Sequence, residues 1–176
     1  MKQIQKVATA QKFGVILEGQ RYFITNEAKQ KISAWCDIPM IPEPYKEPIV
    51  NMVVEIPRDK LAKWECVITE EYHPLRQDTV TSPIEGEGEL PRFYPIFPIF
   101  NYGYIPQTLE DPDIEVKDGI LGDGDPVDVV EITKISAKIG EVKAVKVIGA
   151  LPLIDQGEFD CKVLVVDVDS EVFFFV

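Results

Sequence analysis

Residues Gly122 to Asp128 read Gly-Asp-Gly-Asp-Pro-Val-Asp and run directly into Val129-Val130-Glu131-Ile132. Asp123, Asp125 and Asp128 place three carboxylates within six residues, glycine and proline set the turn, and a strand-like run anchors its end. Carboxylates held this close destabilise one another and raise one another's pKa unless a cation intervenes. Mg²⁺ suits such a cluster, because it takes hard oxygen ligands, uses few carboxylates and keeps waters that a phosphate can displace. The plain alternative is a solvated Asp/Gly/Pro turn. A calcium loop of the EF-hand kind fails on spacing: Val127 falls at the third ligand position, Asp128 where glycine is required, and Lys134 where the closing glutamate belongs.

The chain around this loop has 176 residues and is 45% hydrophobic, enough to bury one sizeable core, so one domain is expected. Its 18 basic and 30 acidic residues leave a formal net charge of -12, which repels nucleic acid and anionic lipid surfaces. No nucleic-acid or membrane partner is therefore expected, and a polyanionic ligand needs metal ions as intermediaries. Cys36, Cys66 and Cys161 are odd in number and lack Cys-x-x-Cys spacing, so neither a disulfide framework nor a zinc site is indicated. Residues Met1 to Lys12 lack the apolar core of a secretory signal, and no uncharged apolar run approaches the roughly 20 residues that span a bilayer. The reading is a soluble, cytoplasmic protein. His73 is the only histidine, which weakens any Ser-His-Asp or Cys-His proposal and reads as a surface residue.

Short β-forming runs dominate the rest. Phe13–Leu17 and Arg21–Ile24 flank Glu18-Gly19-Gln20 and read as a hairpin. Four prolines between Asp37 and Pro48 imply an extended connection. Asn51–Ile56 alternates as a strand with Met52, Val54 and Ile56 on one face and Val53 and Glu55 on the other, and Lys63–Ile68 alternates likewise. Thr79–Glu89 reads as a flexible loop, and Arg92–Ile105 as a loop-rich segment supplying aromatic core. Val142–Leu151 and Lys162–Val168 read as strands separated by Pro152–Cys161. Helical periodicity is hard to find, so a mainly β barrel or sandwich is expected. The chain closes on Val172, Phe173, Phe174, Phe175 and Val176, an aggregation-prone ending for a soluble domain, and is expected to be cut short or altered there.

The seven-residue stretch resembles the signature of the soluble inorganic pyrophosphatases of the Mg²⁺-dependent β-barrel family. Other blocks agree in order: Ser33–Pro39, Asn51–Arg58, Ala62–Glu65, Asn101-Tyr102-Gly103 with Pro106-Gln107-Thr108, and Asp155–Lys162. The first two are closer to the fungal and animal branch. The resemblance spans roughly Phe13 to Asp169 and implies a single OB-like β-barrel domain over residues 1–176 that hydrolyses pyrophosphate to two orthophosphates through a metal-activated water. Carried over by position, Asp123, Asp128 and Asp160 are similar to the ligands of the activating ions, and Asp125 to the general base. Asp155, Glu65 and Glu55 correspond to residues holding further metal or its water shell. Lys63, Arg92, Tyr102 and Lys162 correspond to phosphate contacts. Parity agrees, since Lys63 with Glu65 and Asp160 with Lys162 each share a face by the i, i+2 rule.

The resemblance also implies Mg²⁺ as cofactor, pyrophosphate as ligand and a homodimer. Ser82–Glu89 reads as an insertion relative to the family. The Tyr-Lys pair and long helix that the family carries after its last strand have no counterpart, so a carboxy-terminally truncated domain is expected. The alternative reading is a catalytically impaired, metal-binding paralogue or fragment.

Overall fold

The computed structural model describes residues 13–46, 48–171 and 173. The amino-terminal stretch read above as lacking a signal, and the closing apolar run apart from Phe173, lie outside the described residues. The strands are β1 (Gly14–Glu18), β2 (Arg21–Thr25), β3 (Lys31–Ile32), β4 (Ile49–Ile56), β5 (Trp64–Cys66), β6 (Leu75–Gln77) and β7 (Thr79–Thr81). They continue with β8 (Glu89–Pro91), β9 (Asn101–Tyr104), β10 (Glu115–Lys117), β11 (Ile120–Leu121), β12 (Asp128–Glu131), β13 (Val142–Asp155) and β14 (Glu158–Asp167). The chain is mainly β, as the absence of helical periodicity predicts.

Strands β12, β14, β13, β4 and β9 close into a barrel, and β1, β2, β6 and β5 form a second sheet with β3 attached to β2. Closure removes the edges that an open sheet would leave unpaired. The alternation in β4 explains how the layers join. Met52 and Val54 pack with Val129, Val145 and Val165 in one core. Val53 points the opposite way, into a second core with Ile24, Ile38, Leu75 and Tyr104 beneath the other sheet. Residues 50–56 are consequently buried on both faces, Glu55 included.

A buried polar network crosses the barrel. Glu131 is fully buried and accepts from Asn101 Nδ2 (2.6 Å) and the Thr133 N–H (2.8 Å). Lys143 approaches Glu131 at 3.7 Å and Asp167 at 2.6 Å, tying β12, β13 and β14 together. Buried charges persist only when paired in this way.

The first hairpin forms as expected, β1 pairing with β2 from Gly14↔Thr25 to Glu18↔Arg21. Four local expectations are corrected. Thr79–Glu89 is not a featureless loop, because the β-branched run Thr79-Val80-Thr81 pairs with Glu89-Leu90-Pro91 as a hairpin. Arg92–Ile105 supplies aromatic core only at its end: Ile96 and Ile99 are 76% and 72% exposed, Phe93 and Phe97 are exposed, burial resumes at Asn101, and Tyr104 alone of the aromatics is fully buried. Pro95 and Pro98 deny this segment ladder donors, which suits a surface excursion. Pro152–Cys161 does not separate two strands, since β13 and β14 pair on to Asp155↔Glu158 around a tight turn. Pro152 is tolerated there because β13 meets β4 only over Val142–Lys146, and among the described residues no strand pairs with that flank at Pro152. His73 is half-buried, with Nδ1 2.6 Å from Ser33 Oγ and its ring edge-on to Trp35.

Candidate active site

The loop at Gly122–Asp125 docks on the backbone of Glu110 and Asp111. The Gly124 N–H donates to the Glu110 carbonyl (2.9 Å), the Gly122 N–H to the Asp111 carbonyl (3.2 Å), and the Glu110 N–H to the Asp125 carbonyl (2.8 Å). A Cβ on Gly122 would lie 2.3 Å from the Glu110 carbonyl, and Gly124 has a φ of +86°, so both glycines are dictated by the fold. Within the turn the Asp125 N–H donates to Asp123 Oδ1 (2.9 Å). The loop then enters β12, whose first residue is Asp128.

Asp128 pairs with Lys162 across the parallel β12–β14 ladder and with Tyr104 across the antiparallel β12–β9 ladder. Directly paired residues share a face, so this is the outer wall of the barrel that Val53 and Tyr104 also occupy. There Tyr102 Oη and Lys162 Nζ both donate to Asp128 Oδ2, and Lys162 also donates to Asp160. Just before β5, Lys63 donates to Glu65 and to Asp78 (3.3 Å), and just after β8, Arg92 donates to Asp78 (2.8 Å). Glu55 on β4 accepts the Cys66 N–H of β5 at 2.6 Å, joining barrel and sheet.

All eleven residues singled out from the sequence line one cavity of about 660 Å³: Asp125, Lys63, Arg92, Tyr102, Lys162, Asp123, Asp128, Asp160, Asp155, Glu65 and Glu55. Tyr94 and Glu158, which the sequence reading passed over, line it too. Burial, then the neighbouring carboxylates Asp123, Glu65 and Asp128, push Asp125 up to about 6. Asp128 is also pushed to about 6, burial outweighing the pull of Lys162 and Tyr102. Burial and then Asp128 raise Glu55 well above the carboxylate range. Lys162 pays a desolvation cost, yet Asp128 and Asp160 hold its ammonium above the usual lysine value.

The structure adds Glu110. Its carboxylate, with those of Asp123 and Asp160, offers oxygens that all lie within 4.8 Å of one another, a spacing that could hold a metal ion. Glu110 Oε1 accepts the Cys161 N–H (2.9 Å), whereas Oε2 is buried without a hydrogen-bond partner. Burial and the nearby Asp123 and Asp160 push Glu110 up to about 7 despite that bond. Three hard oxygen donors with an orphaned buried lone pair among them fit a divalent cation. In the sequence Glu110 is one acid in Glu110-Asp111-Pro112, a turn with nothing to mark it.

Residues 52–174 match the family model for inorganic pyrophosphatase, and the chain belongs to that family. It is 42% identical over 156 residues to human inorganic pyrophosphatase, covering 85% of this chain and 50% of that protein. It is 40% identical over 153 residues to soluble inorganic pyrophosphatase 6, chloroplastic, of Arabidopsis thaliana, covering 85% of this chain and 47% of that one. The chain thus spans about half the length of these curated relatives. Among solved structures, the type I inorganic pyrophosphatase of Toxoplasma gondii aligns at a TM-score of 0.79 and 34% identity, over 94% of this chain and 72% of that one. The amino-terminally truncated vacuolar soluble pyrophosphatase of Trypanosoma cruzi, solved in complex with PPi, aligns at 0.76 and 31%, over 94% and 68%.

Proposed function

We propose that this chain is a single barrel domain that hydrolyses inorganic pyrophosphate to two orthophosphates, with Mg²⁺ as its activating ion. The observation that carries the reading is the convergence of the Asp123, Asp128 and Asp160 carboxylates with Lys63, Arg92 and Lys162 on one cavity. The complex of the Trypanosoma cruzi relative with PPi supports the choice of substrate.

In this reading Asp123, Asp128 and Asp160, joined by Glu110, would hold the activating ions, while Asp155, Glu65 and Glu55 would hold further metal or its water shell. A divalent cation there would lower the pKa of water and neutralise charge on the phosphate oxygens. Asp125 orients the attacking water and takes its proton as oxygen reaches phosphorus. Lys63 and Lys162 act as point charges and Arg92 as a planar fork on the phosphate oxygens. Tyr102 donates a hydrogen bond at the same wall. Attack in line with the bridging oxygen breaks that P–O bond and releases the second orthophosphate.

The three cysteines are free, which fits the cytosol as the compartment, and a homodimer belongs to the same reading. The test is orthophosphate release from pyrophosphate with and without Mg²⁺, alongside Asp125→Asn. Release that needs Mg²⁺ and collapses in the variant supports the proposal. A folded, Mg²⁺-binding chain that releases no phosphate overturns it.

A further inference from the structure

Lys63 and Arg92 come from separate stretches of chain, one entering β5 and the other leaving β8, yet three backbone hydrogen bonds lock them into a ring with Asp78. The Lys63 N–H donates to the Arg92 carbonyl (3.1 Å), the Arg92 N–H to the Asp78 carbonyl (2.7 Å), and the Asp78 N–H to the Lys63 carbonyl (2.9 Å). The side chains repeat the closure. Asp78 Oδ2 accepts from both Lys63 Nζ (3.3 Å) and Arg92 (2.8 Å), and Oδ1 accepts the Thr79 N–H (2.7 Å). The carboxylate is therefore fixed by three donors, and two of them are cations.

Its placement separates it from the reacting groups. Lys63 and Arg92 line the large cavity, whereas Asp78 lines a neighbouring one of about 210 Å³ that shares Glu65, Cys66 and Asp125 with it. Arg92 stands close enough to work against the charge on Lys63, so two like charges are being held together. An anion behind them offsets that repulsion and spares two long side chains the entropy of finding one geometry on binding. The other carboxylate partner of Lys63 is Glu65, itself in the acidic set of the cavity.

We infer that Asp78 is a positioning residue of the phosphate clamp, holding Lys63 and Arg92 from behind so that both cations meet one phosphate group. The inference rests on the pyrophosphatase reading for its kinetic consequence and on geometry alone for its binding consequence. Asp78→Asn keeps the backbone ring and the size of the side chain while removing the charge, so the fold should survive.

Two measurements test it: calorimetric titration of inorganic phosphate in saturating Mg²⁺, and steady-state hydrolysis of pyrophosphate. Asp78→Asn is expected to weaken phosphate about tenfold and raise KM by a similar factor with a smaller change in kcat, the pattern of lost binding rather than lost chemistry. Asp78→Glu, which keeps the charge, should recover part of the loss. In the Arg92→Ala background the Asp78→Asn effect should shrink to about threefold or less, because coupled residues do not add. Unchanged phosphate affinity in Asp78→Asn overturns the inference, and so does an undiminished loss in the Arg92→Ala background. A wild-type chain that binds phosphate but hydrolyses nothing would sink the proposed activity and leave the clamp to be judged by the titrations.

Discussion

Asp128 and Lys162 are direct partners across the parallel β12–β14 ladder, and the lysine ammonium donates to the aspartate carboxylate at the cavity wall. The ladder sets this juxtaposition, so it does not depend on a loop finding its place. Lys162→Gln keeps length and hydrogen-bonding capacity but removes the charge. Turnover of pyrophosphate is expected to fall about 100-fold, the usual scale for one preorganised electrostatic group. Steady-state phosphate release, with circular dichroism to confirm folding, decides it.

The crowded acids predict a pH-dependent response to metal. Asp125 and Asp128 are both pushed from an ordinary 3.8 to about 6. A carboxyl raised in the folded state contributes stability that is fully present below its unfolded value near 3.8 and lost as pH rises through about 6. Without divalent ions, these two groups therefore make the fold less stable at pH 7 than at pH 4. Mg²⁺ competes with protons for the same oxygens, so it should raise Tm more at pH 7 than at pH 5. Equal shifts in the two melts would contradict the prediction.

Gly122→Ala is expected to unseat the acidic loop. Its methyl would meet the Glu110 carbonyl at 2.3 Å, a backbone contact that cannot swing aside. The strain should cost about 1–3 kcal/mol in urea unfolding, as overpacking does. Because the displaced loop carries Asp123 and abuts Glu110, Mg²⁺ affinity measured by calorimetry should fall as well.

Lys143→Met should be among the most destabilising single changes. It leaves fully buried Glu131 without its cation, and Asp167 loses its 2.6 Å partner. Removing one member of a buried pair costs about 3–5 kcal/mol, measurable as a lower urea midpoint. A double change that also neutralises Glu131 should recover part of that loss.

Strand parity was legible because it is local. Alternation at Asn51–Ile56 separates Met52 and Val54 from Val53, and the two sets enter different cores. The aspartate loop was legible for a similar reason, its glycines and acids being consecutive. What the sequence concealed depends on tertiary pairing. Glu110 gains meaning only because its backbone receives the Gly124 N–H, and Asp78 only because Lys63 and Arg92 close a ring on it. The Thr79–Thr81 strand was masked by the polar turn that follows, and the aromatic segment was legible only in part, Tyr104 being core and Phe93 and Phe97 exposed, because richness in Phe and Pro says nothing about which side faces water.

The balance of charge around the cavity has a kinetic consequence. Glu65, Asp123, Asp125, Asp128, Asp155, Glu158 and Asp160 stand on its wall against Lys63, Arg92 and Lys162. A bare polyphosphate anion drifting toward this mouth meets a repelling field and is slowed before contact, while a partner whose charge is already masked is not. Screening by monovalent salt should speed the first encounter and leave the second nearly unchanged. In the proposed reading the mouth therefore favours a phosphate ligand that arrives with its charge already masked by a divalent ion.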